Sequence, residues 1–127
     1  MSTPSSGVLW AGRVLSGLPV LGLTASAIMK LTHQAPVVEG FAHFGFQESA
    51  LAPIGVVELV CVLLYVIPQT SVLGALLTTA YLGGATATHV RLGEAPTPAI
   101  VLGILIWAGL GLREPRLQAL LPLRKSA

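Results

Sequence analysis

The sequence is short of charge. Only 9% of its 127 residues are Asp, Glu, Lys or Arg, where a soluble domain carries about a quarter. Aspartate is absent, and all five acids are glutamates. The formal charge of +2 is too small for a nucleic-acid footprint, and no basic run or aromatic platform accompanies it. Cysteine occurs once, as Cys61, which excludes an intrachain disulfide and a cysteine-based zinc cluster. No phosphate-binding loop and no nucleophile elbow is present, and Gly83-Gly84 is a packing feature. A cleavable leader is not expected, because the first apolar run is too long and lacks a basic head. No internal repeat stands out.

What is present is apolar. Hydrophobic residues make up 54% of the chain, and they fall into four runs. The expected fold is all-α, an integral membrane four-helix bundle with a short interfacial segment between helices 1 and 2. The first span, Val8–Met29, would measure about 33 Å as a helix, enough for a bilayer core of about 30 Å. Arg13 lies one turn in and can snorkel to the near surface. Pro19 inside the span is tolerable in lipid, and Lys30 closes the span at the far side. Leu31–Ser49 contains Phe41, Phe44 and Val37-Val38 at the spacing of a short helix, with Gly45 as its stop. It is expected to lie over the bundle mouth at the interface.

Leu51–Ile67 is the second span, of about 25 Å, and Pro68-Gln69-Thr70 is a tight turn. Ser71–Val90 is the third span. Its small pairs Gly74/Thr78 and Ala80/Gly84 permit close helix approach in lipid, within one chain or between two copies. The fourth span, Pro98–Leu112, is short and ends at Arg113-Glu114-Pro115-Arg116. Leu117–Leu123 is expected to form a short interfacial helix. Residues 1–7 are expected to be a disordered tail, 8–123 one transmembrane domain, and 124–127 a basic cytoplasmic tail.

Four spans put both termini on one side. That side holds Arg13, Arg113, Arg116, Arg124 and Lys125, against Lys30 and Arg91 on the other. The positive-inside rule therefore places both termini in the cytoplasm, as for a bacterial inner-membrane protein. His33, Glu39, His43, Glu48, His89, Arg91 and Glu94 then gather at the outer mouth. Glu58 lies about 10 Å in from it.

Glu58 is the sharpest signal. A carboxylate among apolar side chains must face the bundle, pair with a cation or stay protonated, because the lipid interior penalises a bare charge. Two readings remain open. In one, Glu58 is the general acid or base of a site, with His89 or Arg91 orienting or polarising. In the other, it is a structural residue tied to Lys30 or Arg91. Cys61 and Tyr65 share its helix face. Cys61 either fills space or is a reactive thiol. Tyr65 is an anchor at the inner interface, a packing residue or a ligand contact. His89 suits a proton shuttle, a metal or haem ligand, or an interface residue. His33, His43 and His89 lack recognised metal-ligand spacing, and neither metal nor haem is expected. The candidate catalytic residues are Glu58, His89 and Arg91. The candidate substrate contacts are Lys30, Phe41, Phe44, Cys61, Tyr65 and Trp107.

The order of Lys30-Leu31, Phe44-Gly45-Phe46, Gly55-x-x-Glu58, Pro68-x-Thr70, Gly74-Ala75 and His89 resembles the DoxX-like family of small four-helix integral membrane proteins. The resemblance covers about Gly12 to Leu121. It implies the fold and topology, and an association with membrane redox: the family takes its name from a subunit linked to thiosulfate:quinone oxidoreduction. A lone cysteine does not provide the pair that a dithiol relay needs. The expected activity is acid–base isomerisation or epoxide opening on a lipophilic small molecule, or quinone-linked redox. The alternative is a non-catalytic membrane subunit that binds quinone or anchors a partner oxidoreductase. A small transporter ranks below both, since four spans form a pathway only by oligomerising. The expected partners are the lipid bilayer, the lipophilic molecule, and a second copy or a partner oxidoreductase, with no nucleic acid.

Overall fold

The computed structural model describes residues 3–126, which are helical almost throughout and contain no strand. Four long helices carry the fold: α1 (Ser6–Leu31), α3 (Leu51–Val66), α4 (Ser71–Arg91) and α5 (Thr97–Arg113). Of two short ones, α2 (Ala35–His43) lies between α1 and α3 in the sequence and α6 (Pro115–Gln118) follows α5.

Local chemistry sets the boundaries. Ser5 caps α1, its Oγ accepting the Val8 amide. Of the expected tail, Met1 and Ser2 lie outside the described residues, and Ser6 and Gly7 already belong to the helix. The helix runs unbroken through Pro19, which is buried. Pro36 starts α2, and Gly45 at φ 86° follows its end, a conformation costly for any side chain with a Cβ. Pro68 stops α3, and the 3-10 turn Pro68–Thr70 returns the chain directly into α4. Thr70 Oγ1 donates to Leu64 O across that turn at 2.8 Å. The helix expected over Leu117–Leu123 is corrected to the single turn Pro115–Gln118. Pro115 starts it, Glu114 caps the Arg116 amide, and the chain then leaves the helix ahead of Pro122.

The long helices pack in a ring: α1 against α3 and α5, and α4 against α3 and α5. Short connections make neighbours antiparallel. Glycines set the closest approaches. A Cβ on Gly74 would collide with the backbone of Tyr65, and one on Gly109 with Ser16 of α1. Between α1 and α3, a Cβ on Gly55 would meet Lys30 Cβ at 3.1 Å and Ala27 O at 3.3 Å. Such close crossings are how helices associate where the solvent supplies no hydrophobic drive.

At the end of the ring where the chain begins, a polar chain crosses three helices. Arg113 Nε donates to Ser16 Oγ at 3.2 Å, and Ser16 Oγ lies 2.8 Å from the Tyr65 hydroxyl. Tyr65 in turn donates to Ile106 O at 2.7 Å, so Ser16 must be the donor to Tyr65. Tyr65 is only 1% exposed. An interfacial anchor needs its ring at the surface, so of the two structural readings Tyr65 takes the packing one.

The outer surface of the ring is apolar. Trp10, Val14, Leu18 and Leu21 of α1 face outward, as do Val57 and Val60 of α3, Leu73 and Leu76 of α4, and Ile100 and Ile104 of α5. Among the described residues, α1 and the segment Glu48–Val66 are long and apolar enough to cross a membrane, and α5 is apolar but shorter.

Candidate functional site

Gly55 and Glu58 stand one turn apart on α3. By letting α1 approach closely, Gly55 brings Lys30 beside Glu58. Lys30 Nζ donates to Glu58 Oε2 at 2.8 Å, with the two side chains 9% and 2% exposed. Ser26, one turn before Lys30, completes a triangle: its Oγ accepts from Nζ at 2.5 Å and donates to Oε2 at 3.3 Å. The cation that partners Glu58 is therefore Lys30 rather than Arg91. Both bonds to Glu58 converge on Oε2, and Oε1 takes none among the described residues. Two Nζ hydrogens are engaged. The ammonium also lies 5.8 Å from the centre of the Phe41 ring, within reach of its π face.

The pair lies at the wall of a cavity of about 480 Å³ enclosed by α1 to α5. Leu23, Ile54, Leu82 and Leu102 supply apolar wall, and Phe41, Phe44 and Phe46 form a roof. Lys30, Glu58, Ser26, Tyr81, Thr88 and His89 are the polar groups on its lining. The Tyr81 hydroxyl is close enough to the Glu58 carboxylate to interact with it. His89 Nδ1 lies 2.8 Å from Ala85 O. A carbonyl only accepts, so Nδ1 carries the hydrogen, and in the neutral ring Nε2 holds a lone pair. An apolar chamber of this volume with a few convergent polar groups has the form of a small-molecule site.

The roof has no buried residue of its own. It is tied down by side chains from elsewhere. Arg91 donates to Phe44 O, and the Phe44 ring stacks at 4.8 Å on His89. His43 Nε2 meets Glu94 Oε1 at 2.5 Å, and His33 Nδ1 meets Glu48 Oε1 at 3.2 Å just beyond the roof. These histidines are thus spent on carboxylates at the mouth, and among the described residues no group of three His, Cys or Glu is placed to hold a metal.

Of the residues singled out in the sequence, Glu58, Lys30, His89, Phe41 and Phe44 share the cavity. Arg91 does not line it and serves the roof. Cys61 and Tyr65 are buried within the helix packing, off the cavity lining. They lie on the Glu58 helix face, but α4 and α5 cover them. Trp107 of α5 is off the cavity lining, its Nε1 donating to Thr79 Oγ1 of α4 at 2.7 Å, beside a second groove formed with α6. Ser26, Tyr81 and Thr88 were not singled out, and Phe46 only as part of the Phe44-Gly45-Phe46 motif. Ser26 had a signal, being the polar residue one helical turn before Lys30; Tyr81, a lone large polar side chain among small ones, had a weaker one.

The sequence matches the DoxX-like family over residues 14–110. No curated protein and no solved structure matches it. With that match over most of the chain, and with helices apolar enough to cross a bilayer, this is a membrane protein and a member of the DoxX-like family.

Proposed function

We propose that the four long helices all span the bilayer, and that the cavity binds an uncharged lipophilic small molecule on which Glu58 acts as general acid or base. The outward apolar faces of α4 and α5 support taking them into the membrane with α1 and α3. The balance of basic residues supports cytoplasmic termini in a bacterial inner membrane, with the roof helix at the outer interface.

The observation that carries the functional reading is the Lys30–Glu58 pair on the wall of an apolar chamber. The pair is neutral as a unit, so it suits an uncharged guest; a charged one would be buried without a counter-ion. A guest oxygen can accept the remaining Nζ hydrogen of Lys30 or the Tyr81 hydroxyl. A guest hydroxyl or acidic C–H can face Glu58 Oε1 or His89 Nε2. Lys30 polarises and Glu58 moves the proton, which serves isomerisation, epoxide opening, or the proton half of quinone chemistry. In the last case the electrons come from a partner oxidoreductase.

The test is binding of 1-decanol and of a short-tailed quinone to the full chain in lipid nanodiscs, followed by native mass spectrometry. Ala85→Trp fills the cavity from α4 without touching the pair, and it should weaken binding at least tenfold. Once a substrate is known, Glu58→Gln should slow proton transfer by about 10²–10⁴-fold. Undiminished binding by the Ala85→Trp protein would remove the cavity as the site. Binding without any turnover in the presence of candidate oxidoreductases would make the chain a ligand-holding subunit.

A further inference from the structure

Lys30 is the only primary amine among the cavity-lining side chains, and the sequence has one other lysine, Lys125, in the tail. We infer that Lys30 captures a lipophilic aldehyde or ketone as a covalent imine, with Glu58 as the proton carrier for its formation and then its counter-ion. The inference rests on reading the cavity as a ligand site, and it names the class of ligand.

The geometry supplies what imine formation needs. A nucleophilic amine requires a base to take its proton, and Glu58 Oε2 is hydrogen-bonded to Nζ at 2.8 Å. Shifting that proton along the bond leaves a neutral amine and a neutral acid, with no net charge created in the chamber. Nζ then attacks the carbonyl carbon, a C–N bond forms, and the carbonyl π pair moves to oxygen. Glu58 gives its proton to that oxygen and takes one back from the nitrogen. It then protonates the hydroxyl, the C–O bond breaks, and water leaves. The protonated imine that remains stands against the Glu58 carboxylate. In total, ammonium and carbonyl become iminium and water, and no oxidant or reductant is consumed. Ser26 holds both partners in place at 2.5 and 3.3 Å. The Phe41 ring, 5.8 Å from Nζ, suits a delocalised cation as well as an ammonium. The apolar walls select a long-chain or terpenoid carbonyl over a water-soluble one.

Lys125 and the N-terminal amine serve as internal controls. The full chain in nanodiscs is incubated with decanal and cyanoborohydride, which reduces an imine to a stable secondary amine, and adducts are mapped by peptide mass spectrometry. The expected result is labelling at Lys30 at least tenfold faster than at Lys125, no such preference with glyoxylate, and protection by excess decanol. Lys30→Arg keeps the ion pair but gives no adduct at position 30. Glu58→Gln slows labelling of Lys30 at least tenfold relative to labelling of Lys125. Decanol binding with Lys30 labelled no faster than Lys125 overturns the imine and leaves the ligand site standing. Loss of both binding and labelling in the wild-type chain overturns both.

Discussion

Replacing Lys30 with Met removes the ammonium while keeping most of the side chain's volume. Glu58, whose side chain is 2% exposed, is then a buried carboxylate with only the hydroxyls of Ser26 and Tyr81 near it and no cation. Breaking a buried pair from one side costs about 3–5 kcal/mol, which lowers the folding equilibrium by roughly two to four powers of ten. Glu58→Met strands the ammonium in the same way and carries a similar cost. The double variant Lys30→Met/Glu58→Met strands nothing. It fills the space with apolar side chains, so its stability should lie within about 1 kcal/mol of wild type or above it. The coupling between the two positions should therefore approach the sum of the two single-variant losses. Reversible unfolding in mixed micelles, titrated with a denaturing detergent, measures all four proteins. A Lys30→Met loss below about 1 kcal/mol, the size expected of an exposed pair, would refute the buried pair, as would a double variant equal to the sum of the singles.

Thr78 Oγ1 is buried without a hydrogen-bond partner among the described residues, so Thr78→Val, close in shape, should raise stability by about 1 kcal/mol in the same assay; a loss of that size would mean the hydroxyl is satisfied. Glu94→Ala removes one tie on the roof helix and should speed hydrogen exchange in residues 35–43 while leaving α4 protected. Unchanged exchange there would mean Arg91 and the Phe44–His89 contact suffice. The hydrogen bonds from Arg116 hold the Glu114 carboxyl below its usual range, so whatever that contact contributes is present above the ordinary carboxylate range and is lost as pH falls through the lowered value. NMR titration should show Glu114 titrating low, and Arg116→Ala should return it upward.

Much of the architecture was legible because the chain punctuates it. Pro68, Gly45 and the Pro96–Pro98 stretch mark stops that no tertiary contact can remove. Glu58 was legible for the opposite reason, as a side chain that its surroundings do not accommodate without help. Its partner was not. Lys30 and Arg91 are both cations at the same end of long helices, and the choice between them depends on how far α1 slides against α3. Gly55 decides that register, yet as one residue in the sequence it reads only as a small one. Tyr65 was left between an interfacial anchor and a packing residue because helical spacing tells which residues share a face, not which neighbour covers it. α5 covers Tyr65, through Ile106 O and Arg113, and this packing spans more than forty residues of sequence. The single turn at Pro115 replaced a longer helix because Leu117–Leu123 had an apolar pattern but no chemistry to hold it helical through Pro122.

The central claim is that the chamber beside Glu58 holds a lipophilic guest. An experimental density map of the chain in nanodiscs, collected with saturating 1-decanol, tests it most directly. The expected map shows an elongated feature beneath Phe44, with its polar end at Lys30 and Glu58. A chamber collapsed or empty at saturation, with decanol only along the outer faces of α1 and α5, would contradict it.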